Sequence, residues 1–173
     1  MTTTNNSDRN ERSETGSNAG KFLTFALSRE NYGLEILRVQ EIIGVPTITK
    51  VPRCAAYIKG VINLRGKIIP VIDLRAKFSL ESIPYDEKTC VIVVTIEKAD
   101  QKIAVGVIVD TVLEVVQFDA QHIEPAPDYG TSLETKYIIG MGRKNNDKLN
   151  ILLNIERILA DSEAVSIAIA NDT

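Results

Sequence analysis

The residues able to do chemistry in this chain are few, and most lie too far apart to act together. Cys54 and Cys90 belong to no Cys-x-x-Cys pair, and the one histidine, His122, completes no zinc site with them at a usual spacing. They read as free thiols of a reducing cytoplasm. A Ser-His-Asp triad would need His122, which sits in a polar connection before Ile123-Glu124-Pro125. Asp73 and Asp110 each end an apolar run; two carboxylates can do acid–base work, but strand-end aspartates more often accept from turn amides. Gly140-x-Gly142 lacks the third glycine of a dinucleotide loop, and there is no Walker-type phosphate loop. The balance is against an enzyme, and no metal or cofactor is expected.

One polar constellation suits recognition instead. Val61-Ile62-Asn63-Leu64-Arg65-Gly66 runs straight into Lys67-Ile68-Ile69-Pro70-Val71-Ile72-Asp73-Leu74. Two β-branched runs, which read as strands, are interrupted by a polar Asn-x-Arg-Gly knot. The knot falls in or beside a turn, with Gly66 free to take a positive φ. A guanidinium on a tight turn is held rigidly and offers a carboxylate two parallel hydrogen bonds. Glu41 is a plausible acceptor, either in a plain surface ion pair or as part of a binding surface. Val39 and Ile42 flank it and read either as core or as the wall of an apolar groove.

The elements that must carry these residues are mainly strands, expected over 22–27, 32–36, 61–63, 67–74, 90–96, 103–109, 137–140 and 149–154, with a short helix over 154–159. Residues 36–43 read as a helical turn or a continuing strand. Hydrophobic residues make up 44% of the 173, enough for a real core, but aromatics are 5%, so Ile, Val and Leu must build it. A net charge of −3, from 20 basic and 23 acidic residues, argues against nucleic acid as partner. No apolar run reaches the ~18 residues of a membrane span, and no signal-peptide core opens the chain. A soluble, cytoplasmic protein is expected. Residues 1–20 contain no Ile, Leu, Val, Phe, Tyr or Trp and read as a disordered tail; 161–173 read as frayed.

The chain also repeats itself. Setting Gly33 on Gly106 places Val39 on Val112, Glu41 on Glu114, Ile42 on Val115 and Pro52 on Pro125. After a longer loop, Tyr57 meets Tyr137, Ile58 meets Ile138 and Gly60 meets Gly140; one more inserted residue sets Lys67 on Lys148 and Asp73 on Asn154. Each copy would be a small barrel-like sheet, over 21–85 and 86–160, sharing a core with the other. The Asn-x-Arg-Gly turn is not duplicated, which supports a dedicated role for it.

The stretches Tyr32-Gly33-Leu34-Glu35-Ile36-Leu37-Arg38-Val39-Gln40-Glu41-Ile42, Tyr57-Ile58-Lys59-Gly60-Val61-Ile62-Asn63-Leu64-Arg65-Gly66 and Pro70-Val71-Ile72-Asp73-Leu74-Arg75 resemble the CheW family of bacterial chemotaxis coupling proteins. Gly106-Val107-Ile108-Val109-Asp110 and Ile123-Glu124-Pro125-Ala126-Pro127 extend the resemblance. It implies an all-β fold of two intertwined five-stranded barrels of the Src-homology-three type plus a short C-terminal helix, with a soft boundary near residue 85. It implies a non-enzymatic adaptor linking the cytoplasmic tip of methyl-accepting chemoreceptors to the regulatory domain of the histidine kinase CheA, reaching the membrane only through receptors. By position, Glu41 and Arg65, with Val39, Ile42 and Asn63, would face the receptor. Ile103, Val107 and Val112 of the second copy would face the kinase. Two other readings are a small hydrolase on a duplicated barrel and the coupling domain of a multidomain signalling relative.

Overall fold

The computed structural model of the protein describes residues 19–126, 135–144, 147–160, 162 and 164–167. The expected disorder of the N-terminal tail falls almost wholly outside them. Eleven strands run through the described residues: β1 (Gly20–Leu27), β2 (Glu30–Glu35), β3 (Val39–Gly44), β4 (Ile58–Leu64), β5 (Lys67–Asp73), β6 (Cys90–Lys98), β7 (Gln101–Val109), β8 (Thr111–Phe118), β9 (Ile123–Glu124), β10 (Ile138–Gly142) and β11 (Asn150–Leu153). Two short helices follow β5 and β11: α1 (Leu74–Lys77) and α2 (Ile155–Ala160).

The strands form two sheets, ordered β8-β1-β2-β11-β10-β9 and β3-β6-β7-β5-β4. Each takes its central hairpin from one repeat and three or four further strands from the other. A cut near residue 85 therefore separates the repeats but not the sheets. The repeats correspond closely, the isolated Thr49–Val61 bridge standing in the first where β9 pairs with β10 in the second. β5 lies parallel to β7 with Val71 opposite Gly106, and β11 lies parallel to β2 with Leu152 opposite Gly33. The Asp73 amide donates to the Tyr57 carbonyl, and the Asn154 amide to the Tyr137 carbonyl, both at 2.8 Å. Asp73 and Asn154 then cap α1 and α2 with their side-chain oxygens.

Strand alternation sorts the apolar residues into three cores. In β6, Val91 and Val93 enter the interior of one barrel, while Ile92, Val94 and Ile96 enter a core shared between the barrels. Phe22, Phe118 and Leu152 fill the other barrel. Central strands buried on both faces read as near-continuous Val/Ile runs, and each such side chain stabilises the fold by roughly 1.5–3 kcal/mol relative to exposure. The shared core explains why neither repeat needs to be stable alone.

Three expectations are revised here. Residues 36–43 are both alternatives in turn: a 3-10 turn over Ile36–Arg38, then strand β3. The segment after Asp110, absent from the expected strands, is strand β8, paired with β1. Among the described residues beyond 160, where fraying was expected, 164–167 are helical and Ala164 and Val165 are buried.

Candidate functional site

The hairpin between β4 and β5 turns on two residues, Arg65 and Gly66, between the paired Leu64 and Lys67. Both take positive φ, 52° and 85°. Two-residue hairpins whose twist matches their strands need this at both central positions, which favours Asn, Asp or Gly. Gly66 meets the demand without strain; Arg65 does not, because its Cβ crowds the backbone in that region. Asn63 braces the turn: its Oδ1 accepts from the Gly66 amide at 2.8 Å.

So placed, the Arg65 guanidinium meets Glu41 as a fork. Nη1 donates to Oε1 at 2.9 Å and Nη2 to Oε2 at 2.5 Å. The Glu41 side chain is 19% exposed and that of Arg65 71%, so the carboxylate is seated and the cation lies over it, open to solvent. Hydrogen bonding to Glu41, and then its charge, raises the Arg65 pKa further above its ordinary value. Glu41 lies next to a bulge: Val39 and Glu41 oppose consecutive residues of β6, leaving Gln40 as the extra residue.

Around this pair the expected residues separate. Ile42 is exposed, whereas Val39 is half-buried against the shared core and also lines an open groove of about 410 Å3 with Leu37, Arg38, Gln40, Lys67 and Lys102. Leu37 projects from the 3-10 turn, 91% exposed. Asn63 has its side-chain oxygen committed to the turn.

The second set does not gather on a surface. Ile103 and Val107 are 3% and 0% exposed, because alternation in β7 turns them into the shared core. Their side chains therefore offer nothing to a kinase. Val112, on β8, is half-buried and packs against the same core, beside the exposed Leu113 and Val115.

A further cluster joins the two strand-end aspartates, Asp73 and Asp110, to Arg75, which had no role in the sequence reading. Arg75, just inside α1, donates from Nε and Nη2 to the two oxygens of Asp110, each at 2.7 Å, and from Nη1 to the Glu81 carbonyl. Asp110 also accepts from the Ser28 amide. Asp73 accepts from the Tyr85 hydroxyl. Burial first, then the hydrogen bond to the Asp73 carboxylate and its charge, push the Tyr85 hydroxyl well above its usual pKa. Both aspartates are thus committed to structure, not poised as an acid–base pair. His122 closes the 3-10 turn between β8 and β9, remote in sequence from both cysteines, which are half-buried thiols.

The fold is thus a duplicated, strand-exchanged pair of barrels with a fork-bound arginine on a braced turn. A family model described as a CheW-like domain matches residues 21–163. The chain belongs to the CheW family. It is 42% identical over 143 residues to the chemotaxis protein CheW of Klebsiella aerogenes, covering 83% of each chain. Against the CheW of Helicobacter pylori it is 34% identical over 139 residues, covering 80% of this chain and 81% of that one. The crystal structure of the scaffolding protein TtCheW from Thermoanaerobacter tengcongensis superposes with a TM-score of 0.70 at 38% identity, covering 81% of this chain and 87% of that one. As a CheW protein the chain is a chemotaxis coupling adaptor and not an enzyme. These relatives give no support to the hydrolase reading. Among the described residues no helix is long and apolar enough to cross a membrane.

Proposed function

We propose that this CheW protein joins the cytoplasmic tip of methyl-accepting chemoreceptors to the regulatory domain of CheA, working in the cytoplasm and reaching membrane-associated arrays through the receptors. The receptor-facing surface is the Glu41–Arg65 pair with Val39, Ile42 and the turn held by Asn63. One observation carries the reading: an arginine is kept in an unfavoured backbone region on a two-residue turn and laid as a fork on a seated carboxylate. A turn needing only stability would place Asn or Gly there. Ile42 is exposed on the same strand as Glu41, and the groove beside Val39 reaches Lys67 at the end of the turn. With Ile103 and Val107 turned inward, the kinase contact belongs to β8, at Val112 and its exposed neighbours Leu113 and Val115. The test is reconstitution of receptor, kinase and adaptor with Arg65→Glu and Glu41→Arg. Each variant is expected to fold and to lose receptor coupling; full coupling in both leaves the pair a surface ion pair and nothing more.

A further inference from the structure

We infer that Asn63 is a positioning residue, acting on the receptor-facing surface through Arg65 rather than by touching the partner. The inference rests on the proposed receptor role of the Arg65–Glu41 pair, but its geometric half stands apart from that role. Asn63 is exposed, yet its Oδ1 is spent on the Gly66 amide at 2.8 Å. That bond closes a ring through Leu64 and Arg65 from the side of β4 and ends on the Gly66 amide, so it holds Arg65, the strained one of the two residues of positive φ. Without it, only the pairing of Leu64 with Lys67 holds Arg65 at positive φ, and crowding at its Cβ drives it toward negative φ. Such a rotation swings the whole side chain. The fork on Glu41 needs both nitrogens within hydrogen-bond reach of both oxygens, and it does not survive a displacement of an ångström or more. Asn63 therefore holds the arginine in the strained conformation that recognition uses.

The side-chain acceptor is the part that matters, so Asn63→Asp should preserve the effect and Asn63→Ala should remove it. Two readouts separate the inference from its foundation. In the free protein, 15N NMR of the Arg65 guanidinium reports the fork directly: hindered rotation keeps its Nη resonances apart. They are expected to stay resolved in wild type and Asn63→Asp and to merge in Asn63→Ala. Resolved resonances in Asn63→Ala overturn the inference whatever the receptor does. In receptor binding, Asn63→Ala and Arg65→Ala should each weaken affinity about tenfold, and the double variant should be no weaker than Arg65→Ala alone, because one side chain acts through the other. Additive losses, or no rescue by Asn63→Asp, place Asn63 in direct contact and overturn the positioning role. Unchanged receptor affinity in Arg65→Ala removes the receptor reading instead, and the NMR result then decides the geometric claim by itself.

Discussion

Arg75 and Asp110 face each other across the boundary between the two repeats, joined by two hydrogen bonds of 2.7 Å with their side chains 11% and 21% exposed. Arg75 belongs to the helix that ends the first repeat, and Asp110 to the tip between β7 and β8 of the second. Asp110 also holds the Ser28 amide, in the β1–β2 turn where Ser28 has a φ of 57°. One carboxylate thus ties together a helix, a strand junction and a strained turn.

Removing either partner leaves the other largely buried, Asp110 with only the Ser28 amide or Arg75 with only the Glu81 carbonyl. Arg75→Ala and Asp110→Ala are each expected to destabilise by about 1–3 kcal/mol, between the values for surface and fully buried pairs. Urea unfolding of both single variants and the double variant measures this, and the double should cost less than the sum of the singles.

The same pair gives a pH dependence. Burial raises the Asp110 pKa, but hydrogen bonds from Arg75 and the Ser28 amide, with the Arg75 charge, outweigh it, and the carboxyl lies below its ordinary value. A lowered folded pKa contributes stability that is fully present above the unfolded value of about 3.9 and is lost as pH falls through the folded one. Between pH 6 and pH 2, Asp110→Asn should therefore show a shallower loss of stability than wild type.

Gly60 and Gly140 test the repeat. A Cβ on Gly60, whose φ is 142°, would sit 2.0 Å from the Thr49 carbonyl oxygen; on Gly140 it would sit 2.6 Å from Ile123 Cγ2 and 2.9 Å from the Glu124 carbonyl oxygen. In each copy the preceding segment crosses directly over the glycine. Gly60→Ala and Gly140→Ala are expected to lose more than about 2 kcal/mol, whereas Gly44→Ala, with nothing within 4 Å, should stay within about 0.5. Thermal melts of the three variants side by side settle the comparison.

Val107 and Ile42 separate core from surface. Val107→Asp buries an unpaired carboxylate in the shared core and should prevent stable folding. Ile42→Asp, on an exposed strand position, should keep its melting temperature within a few degrees yet weaken receptor binding. Circular dichroism and a receptor pull-down distinguish the two effects.

The charge swap Arg65→Glu with Glu41→Arg asks what the fork is for. Opposite charges again face each other, so stability should return to near that of wild type. Receptor coupling should stay lost, because the partner would meet a carboxylate where it expects a guanidinium. Coupling restored in the swap would mean that the pair acts only on its own strand and turn.

How far the sequence reaches can be judged residue by residue. The β-branched runs announced most strands, and the paired Gly60 and Gly140, Tyr57 and Tyr137, Asp73 and Asn154 announced a duplicated unit; these are local signals that survive in any fold. The Glu41–Arg65 partnership was legible too, as opposite charges with a turn glycine beside one of them. Segment 111–118 is missing from the expected strands although the repeat aligns Val112 with Val39 and Glu114 with Glu41, since its exposed Leu113 and Val115 obscure the alternation. The rest depended on three-dimensional pairing. Alternation marks which residues of β7 share a face but not which face meets solvent, so whether Ile103 and Val107 meet a partner or the core depends on the second barrel that covers them. The exchange of strands between sheets and the Arg75–Asp110 clamp join residues 35 apart or more. Their spacing in the chain carries no periodic signal, because such contacts are set by the packing of two whole sheets.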